Sequence, residues 1–334
     1  MTDSPYQREF DFSEIKAALL NQEAPFPAPL LYFFSDISPE NLSNLKEVWP
    51  QVQTQRRRGM LEDMEDLAEA DTILYFDSFA LSCLEDEDPV ARATAIRLLW
   101  QSQQESLVPI FTKLMNEDPE SIVRAAAATA LGVFVYLGEL EEIKASTYKG
   151  LLQQLIRTHL GTDDRLVRRR ALESLGYTSH PDVPEYIQRA FESDDEEWLQ
   201  SALFAMGRSV DKRWNESVLE MIQHPDLQVR YEAVHAAGEL EIQDARDLLF
   251  DLLEEGTDDN DLYFAAIWSL TKIGGQGVRT MIEMALEDTD DPEELQFLEE
   301  ALENLNFNEQ YNLFDMMYFE EDDPEEWDLE EDDY

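Results

Sequence analysis

Asp226–Gly238, DLQVRYEAVHAAG, is the stretch from which the architecture is read, because copies of it recur through most of the chain. Aligned on Arg230, the equivalent positions are Arg92, Arg124, Arg168, Leu199, Tyr263 and Leu298. Taken in order, the seven anchors lie 32, 44, 31, 31, 33 and 35 residues apart. A period in that range marks stacked helical repeats, and the one long interval marks an insertion. Three residues after the anchor stands an alanine in every copy: Ala95, Ala127, Ala171, Ala202, Ala233, Ala266 and Ala301.

The residue before the anchor is apolar or small (Ala91, Val123, Val167, Trp198, Val229, Leu262, Phe297), and seven after it comes Leu99, Leu131, Leu175, Met206, Ala237, Leu270 or Leu305. Offsets four apart share one face of a helix, so these side chains form a buried stripe. Glycines follow at Gly132, Gly176, Gly207 and Gly238, where a small residue permits close approach or a helix exit. Four residues before the anchor, Asp88, Asp164, Asp195, Asp226 and Asp259 are suited to cap the free amides of a helix start. Each such helix is followed by a second apolar stretch, as at residues 107–111, 218–222 and 248–253. A helix pair of this size cannot bury its apolar face alone, so the pairs stack.

This pattern resembles the HEAT-repeat superfamily, in particular the short bacterial subtype also found in phycobilisome lyases. The match is carried by Val123-Arg124 with Ala127 and Leu131-Gly132, by Val167-Arg168 with Ala171 and Leu175-Gly176, and by Val229-Arg230 with Ala233 and Gly238. It covers residues 85–306 and implies an all-α, HEAT-like α-solenoid, a right-handed superhelix of about seven to eight stacked helix pairs. It also implies a ladder of Asp and Arg side chains linking adjacent layers, carried here by Asp88/Arg92, Asp164/Arg168 and Asp226/Arg230, with Arg124 in the same row. Leu199, Tyr263 and Leu298 interrupt that row.

Charge is the second strong signal: 25 basic against 74 acidic residues give a net −49. Such a field repels nucleic acid and anionic membranes and attracts basic partners. A single cysteine, Cys83, excludes an internal disulfide, and no signal peptide is apparent, so a cytoplasmic protein is expected, monomeric and off the membrane.

Residues 1–35 read as an N-terminal extension or cap, extended through the proline-dense segment 24–29. Residues 36–308 read as the repeat array, with a degenerate first repeat around Arg57 and an insertion near 138–150. Residues 309–334 read as an acidic disordered tail. The basic triplets Arg56–Arg58 and Arg168–Arg170 are expected to pair with neighbouring carboxylates. Trp198, Trp214, Tyr231 and Trp268, together with Trp327 in the tail, are candidate partner-binding residues, because aromatic side chains carry a large share of interface energy.

No catalytic constellation emerges. His159, His180, His224 and His235 lack metal-ligand spacing, and His180-Pro181-Asp182 and His224-Pro225-Asp226 read as turn caps. Gly274–Gly277 lacks the lysine of a phosphate loop, and Asp258–Asp261 lacks the glycine and distal glutamate of a calcium loop. The expectation is therefore a non-enzymatic scaffold or adaptor, without cofactor or metal, that holds a protein or peptide in its groove. A chromophore-handling protein of the bilin-lyase kind, implied by the resemblance, and an assembly chaperone for a basic client are the alternatives.

Overall fold

The aspartate four residues before each anchor starts a helix by hydrogen bonding. Asp88 accepts from Ala91 N at 2.9 Å and Asp164 from Leu166 N at 2.8 Å. Asp195, Asp226 and Asp259 accept from Glu197 N, Val229 N and Leu262 N at 3.1, 2.9 and 2.9 Å. Each satisfies an amide that a helix start leaves without an intrahelical partner.

The computed structural model describes residues 11–257 and 259–319, with 311–319 as helix backbone. The chain divides after Glu192 into two compact units. The first holds α1 (Phe12–Leu20), α2 (Pro39–Val48), α3 (Thr54–Ala70), α4 (Asp77–Cys83), α5 (Pro89–Leu98), α6 (Leu107–Glu117), α7 (Ser121–Glu139), α8 (Ala145–Leu160), α9 (Arg165–Leu175) and α10 (Val183–Phe191). The second holds α11 (Glu196–Ser209), α12 (Asn215–Met221), α13 (Leu227–Glu239), α14 (Ala245–Glu255), α15 (Asn260–Ile273), α16 (Val278–Asp288) and α17 (Pro292–Phe319). Among the described residues there is no strand, and the fold is an all-α repeat array.

In the first unit α3, α5, α7 and α9 stack in succession, with α4, α6 and α8 packed as companions on α5, α7 and α9. In the second, α11, α13, α15 and α17 stack, with α12, α14 and α16 on the last three. The seven repeat alanines lie in these stacks, and every one is fully buried at 0% exposure. Where leucine replaces the anchor arginine, Leu199 and Leu298 are buried, and the aromatic rings before them, Trp198 and Phe297, are only half-buried.

Several expectations change. Of the segment expected to be extended, residues 28 and 29 instead open a 3₁₀ helix, Ala28–Phe34, that buries Leu30, Leu31, Phe33 and Phe34. Prolines start this turn, and four bulky apolar side chains gain cover by packing, as where Phe34 meets Phe79 at 4.8 Å. The insertion is absorbed as helix rather than loop, since α7 and α8 run to 19 and 16 residues while α5 and α6 have 10 and 11. Helix α7 is long and apolar enough to cross a membrane, yet it is packed by α5, α6, α8 and α9, with 56% of its most apolar stretch buried. The last helix continues to Phe319, past the expected boundary at 308, because no glycine or proline follows Pro292 until Pro324. Residues 320–334 of the expected tail, Trp327 among them, lie outside the described residues.

The ladder is built differently from the pairing within a repeat. Arg92 directs Nη1 to the carbonyls of Asp86 and Glu87, in its own entry loop, at 2.8 and 3.3 Å. Its Nε and Nη2 donate to Asp118, in the entry loop of the next layer, at 2.9 and 2.8 Å. Arg124 repeats the arrangement, with Nη1 on the carbonyls of Asp118 and Pro119 and Nη2 on Asp163 at 2.6 Å. The planar guanidinium fork suits this double task. Asp88 takes Arg58 from the preceding layer, and that hydrogen bond holds its carboxyl below the usual range. Arg168 donates Nε to the carbonyl of His159 at 2.9 Å, and Arg230 Nε finds no acceptor among the described residues. At an interrupted rung, burial and then Glu294 of the following layer push the Tyr263 hydroxyl up to about 12. In the first basic triplet Arg57 pairs with Asp86 and Glu87 and Arg58 with Asp88, as expected, but Arg56 binds the backbone carbonyls of Ala18 and Ala24 instead of a carboxylate.

Two tests follow from this packing. A methyl group added at Gly238 would meet Ser269 backbone at 2.8 Å, whereas one at mid-helix Gly59 meets nothing within 4 Å. Gly238→Ala is expected to lower the stability of its unit by about 1–3 kcal/mol, and Gly59→Ala to raise that of its own by about 0.5–1 kcal/mol. Denaturant midpoints moving in the same direction would contradict the close-approach account. Arg92 and Asp118 side chains are 10% and 6% exposed. A double-mutant cycle on Arg92→Ala and Asp118→Ala is expected to give a coupling of about 1–3 kcal/mol, with Arg92→Lys unable to restore it. Additive single effects would remove the ladder as an energetic element.

Candidate functional site

The stacked helices of the second unit present a face set by the same repeat alignment. One, five and nine residues after the anchor, α13 carries Tyr231, His235 and Glu239, α15 carries Phe264, Trp268 and Lys272, and α11 carries Phe204 and Arg208 at the last two. These offsets are four apart and therefore share one side of each helix. The register between layers is fixed by contact. Gly207 lies against Ala236, Gly238 lies against Ser269, and Ser269 Oγ donates to the carbonyl of Val234 at 2.9 Å.

At the C-terminal edge of this face, Glu239 accepts from Arg208 Nη1 at 3.1 Å and from Lys272 Nζ at 2.9 Å. Three layers are thereby joined by one carboxylate. The cations also stand in the last turns of α11 and α15, where they complement the helix dipole. Arg208 lies over the Phe204 ring, 5.1 Å from its centroid.

Between α11 and α13 lies a cavity of ≈ 190 Å³ whose walls include Phe204, Arg208, Tyr231, Glu232, His235 and Glu239. The Tyr231 and His235 rings meet edge to face at 4.5 Å. Burial pushes the His235 pKa down, and Lys272 and Arg208 act in the same direction against Glu239. The imidazole is therefore neutral at neutral pH. Burial pushes the Tyr231 hydroxyl up, reinforced by the negative field of Glu232, Asp261 and Asp259. The face thus runs from a carboxylate-rich edge, across aromatic rings, to the Arg208–Glu239–Lys272 clasp.

Of the five aromatic candidates, the structure brings Tyr231 and Trp268 onto this face, both half-buried. Trp268 stands 6.2 Å from Phe297, which stacks at 4.5 Å on Phe264. Trp198 is half-buried at the start of α11, and Trp214 is buried in its turn with 4% exposure, so it serves packing. Sequence reasoning missed Phe204, Arg208, His235, Glu239 and Lys272. Their signal was the recurrence of offsets five and nine after the anchor, legible in the alignment but masked by mixed residue types.

The remaining chemistry is structural. His180 and His224 accept through Nδ1 from Asp182 N and Asp226 N at 3.3 and 3.1 Å, closing the turns before α10 and α13. Cys83 is buried, and its thiol is pushed up to about 12 by burial. In the first unit, Glu139 accepts from Tyr148, Thr178 and Ser179, which ties the turn after α7 to the turn after α9. Among the described residues, no three His, Cys, Asp or Glu side chains are grouped to hold a metal ion.

Two solved structures are similar to the chain. YibA from Escherichia coli is 16% identical with a TM-score of 0.43, covering 85% of this chain and 98% of its own. Human deoxyhypusine hydroxylase in complex with glycerol is 15% identical with a TM-score of 0.36, covering 90% of this chain and 96% of its own. No curated protein sequence matches significantly. Residues 78–145 and 215–306 match the family of HEAT repeats. These stretches hold five of the seven buried alanines and the layered helices described above, and they are built of HEAT repeats.

Proposed function

We propose that this protein is a non-catalytic interaction scaffold whose α11–α13–α15 face receives a basic segment of a partner protein. One observation carries the reading. Phe204, Tyr231, Phe264 and Trp268 are neither core nor free surface, but lie half-buried across adjacent layers, the first two lining a cavity of ≈ 190 Å³. Rigid aromatic rings contribute large contact area at low entropic cost, and a cavity of this size accommodates a single side chain.

The sign of the partner follows from the carboxylates around Tyr231. Glu232, Asp259 and Asp261 lie close enough to act on its hydroxyl, and the chain carries −49 overall. A lysine or arginine entering there meets negative charge and ring faces together, which strengthens attraction by cation–π contact. Arg208 and Lys272 share Glu239, which offsets only one of their two charges, so the attraction rests on Glu232, Asp259 and Asp261 at the other end of the face. The overall field steers encounter, and the face supplies selectivity.

The test uses a fluorescein-labelled peptide of alternating lysine and leucine and reads anisotropy with the full chain. Tyr231→Ala and Trp268→Ala are each expected to weaken binding about tenfold, near 1.4 kcal/mol. Met284→Ala, an exposed apolar position on α16, is expected to leave it unchanged. Binding that survives Tyr231→Ala, or that vanishes completely by about 0.5 M salt, would reduce the interaction to a generic polyanion effect.

A further inference from the structure

In the first unit, the companion helices form a second surface of opposite character. Helix α4 has only seven residues beside the eleven of α6, and a groove of ≈ 740 Å³ opens along them. Its apolar wall includes Leu81, Leu84, Pro109 and Ile110, and its charged members include Lys46 from α2 and Lys113 from α6. Leu81 and Ile110 are 36% and 38% exposed, unusual for large aliphatic side chains facing one groove.

The lysines set the partner's chemistry. Only seven lysines occur in the chain, and two of them line this groove. Among the described residues, Lys144 and Lys272 form ion pairs, whereas Lys46 and Lys113, like Lys16, Lys149 and Lys212, form none. Both ammonium groups are exposed, with Glu85 the one carboxylate on the groove wall. What sets this groove apart is the local balance: two lysines against one carboxylate, beside uncovered leucine and isoleucine, in a chain with 74 acidic residues. Net −49 opposes any anion, peptide or membrane alike, so the attraction is local to the two lysines, and a concave groove between helices suits a helical segment better than a flat bilayer.

We propose that the α2–α4–α6 groove binds an acidic amphipathic segment of a partner protein. Apolar side chains one helical turn apart cover Leu81 and Ile110, and flanking carboxylates meet Lys46 and Lys113. This surface is independent of the basic-segment face in the second unit, and substitutions at either leave the other intact.

The probe is a fluorescein-labelled peptide of glutamates with leucines four residues apart, titrated against the full chain at about 0.1 M salt. Saturable binding is expected, weakened at least about tenfold by Lys46→Glu with Lys113→Glu and similarly by Ile110→Glu. The pair Lys46→Arg and Lys113→Arg is expected to keep affinity, and helical circular dichroism to stay unchanged in all variants. A leucine-to-serine probe should not bind. The proposal is overturned if affinity ignores the charge reversals, or if no saturation occurs. It is also overturned if phosphatidylserine vesicles bind through these lysines while the peptide does not. Binding by a peptide of residues 320–334 in place of the probe would assign the groove to the chain's own sequence and likewise overturn it.

Discussion

Close approach of the stacked helices is the constraint on which the rest depends. An alanine fully buried in each of seven copies leaves no room for a larger side chain between layers. Glycine and serine continue the seam: Gly132 lies against Ser174, and Ser174 Oγ returns a hydrogen bond of 2.7 Å to the carbonyl of Ala128. Dispersion contacts accumulate only at such short separations, and a deleted or added methyl group at close-packed positions is felt directly. Small residues therefore define the layer spacing, and the larger apolar side chains at offsets −1 and +7 fill the spaces beside the seam.

Packing helices this closely brings their entry loops together, and the loops are where polar backbone must be satisfied. At Arg92 and Arg124 the anchor solves two problems with one side chain. Its Nη1 closes the carbonyls of its own loop, and its remaining donors hold an aspartate of the next. Where arginine is replaced by Leu199 or Leu298, the anchor joins the core and the neighbouring aromatic residue is left half-buried. That exchange is concentrated in the second unit, which also carries the aromatic face.

Much of this was legible in the sequence because local rules and packing agree. Asp88, Asp164, Asp195, Asp226 and Asp259 cap helices for reasons contained within four residues of chain, and the alanine stripe needs only helical periodicity. What was not legible depends on contacts between distant residues. Asp118 and Asp163 lie 26 and 39 residues from the arginines they bind, and nothing local distinguishes them from other loop acids. The 3₁₀ helix at Ala28–Phe34 is likewise decided by Phe79 and neighbouring core positions rather than by its own prolines. The aromatic face lay between these cases: its period was visible, but Phe204, His235 and Lys272 share no chemistry until stacking makes them neighbours.

Acidity by itself selects nothing, since a uniformly negative surface attracts any cation and screening weakens it with salt. Selectivity needs places where the charge pattern departs from the average and apolar surface lies uncovered beside it. The two units meet that requirement in opposite ways. In the second, the carboxylates surrounding Tyr231 act on a half-buried aromatic row, and the cations present are already bound by Glu239. In the first, Lys46 and Lys113 are unpaired among the described residues and border exposed Leu81 and Ile110. Repeats that bury identical alanines can therefore differ in what they present outward, because the seam constrains one face of each helix and leaves the other open to variation.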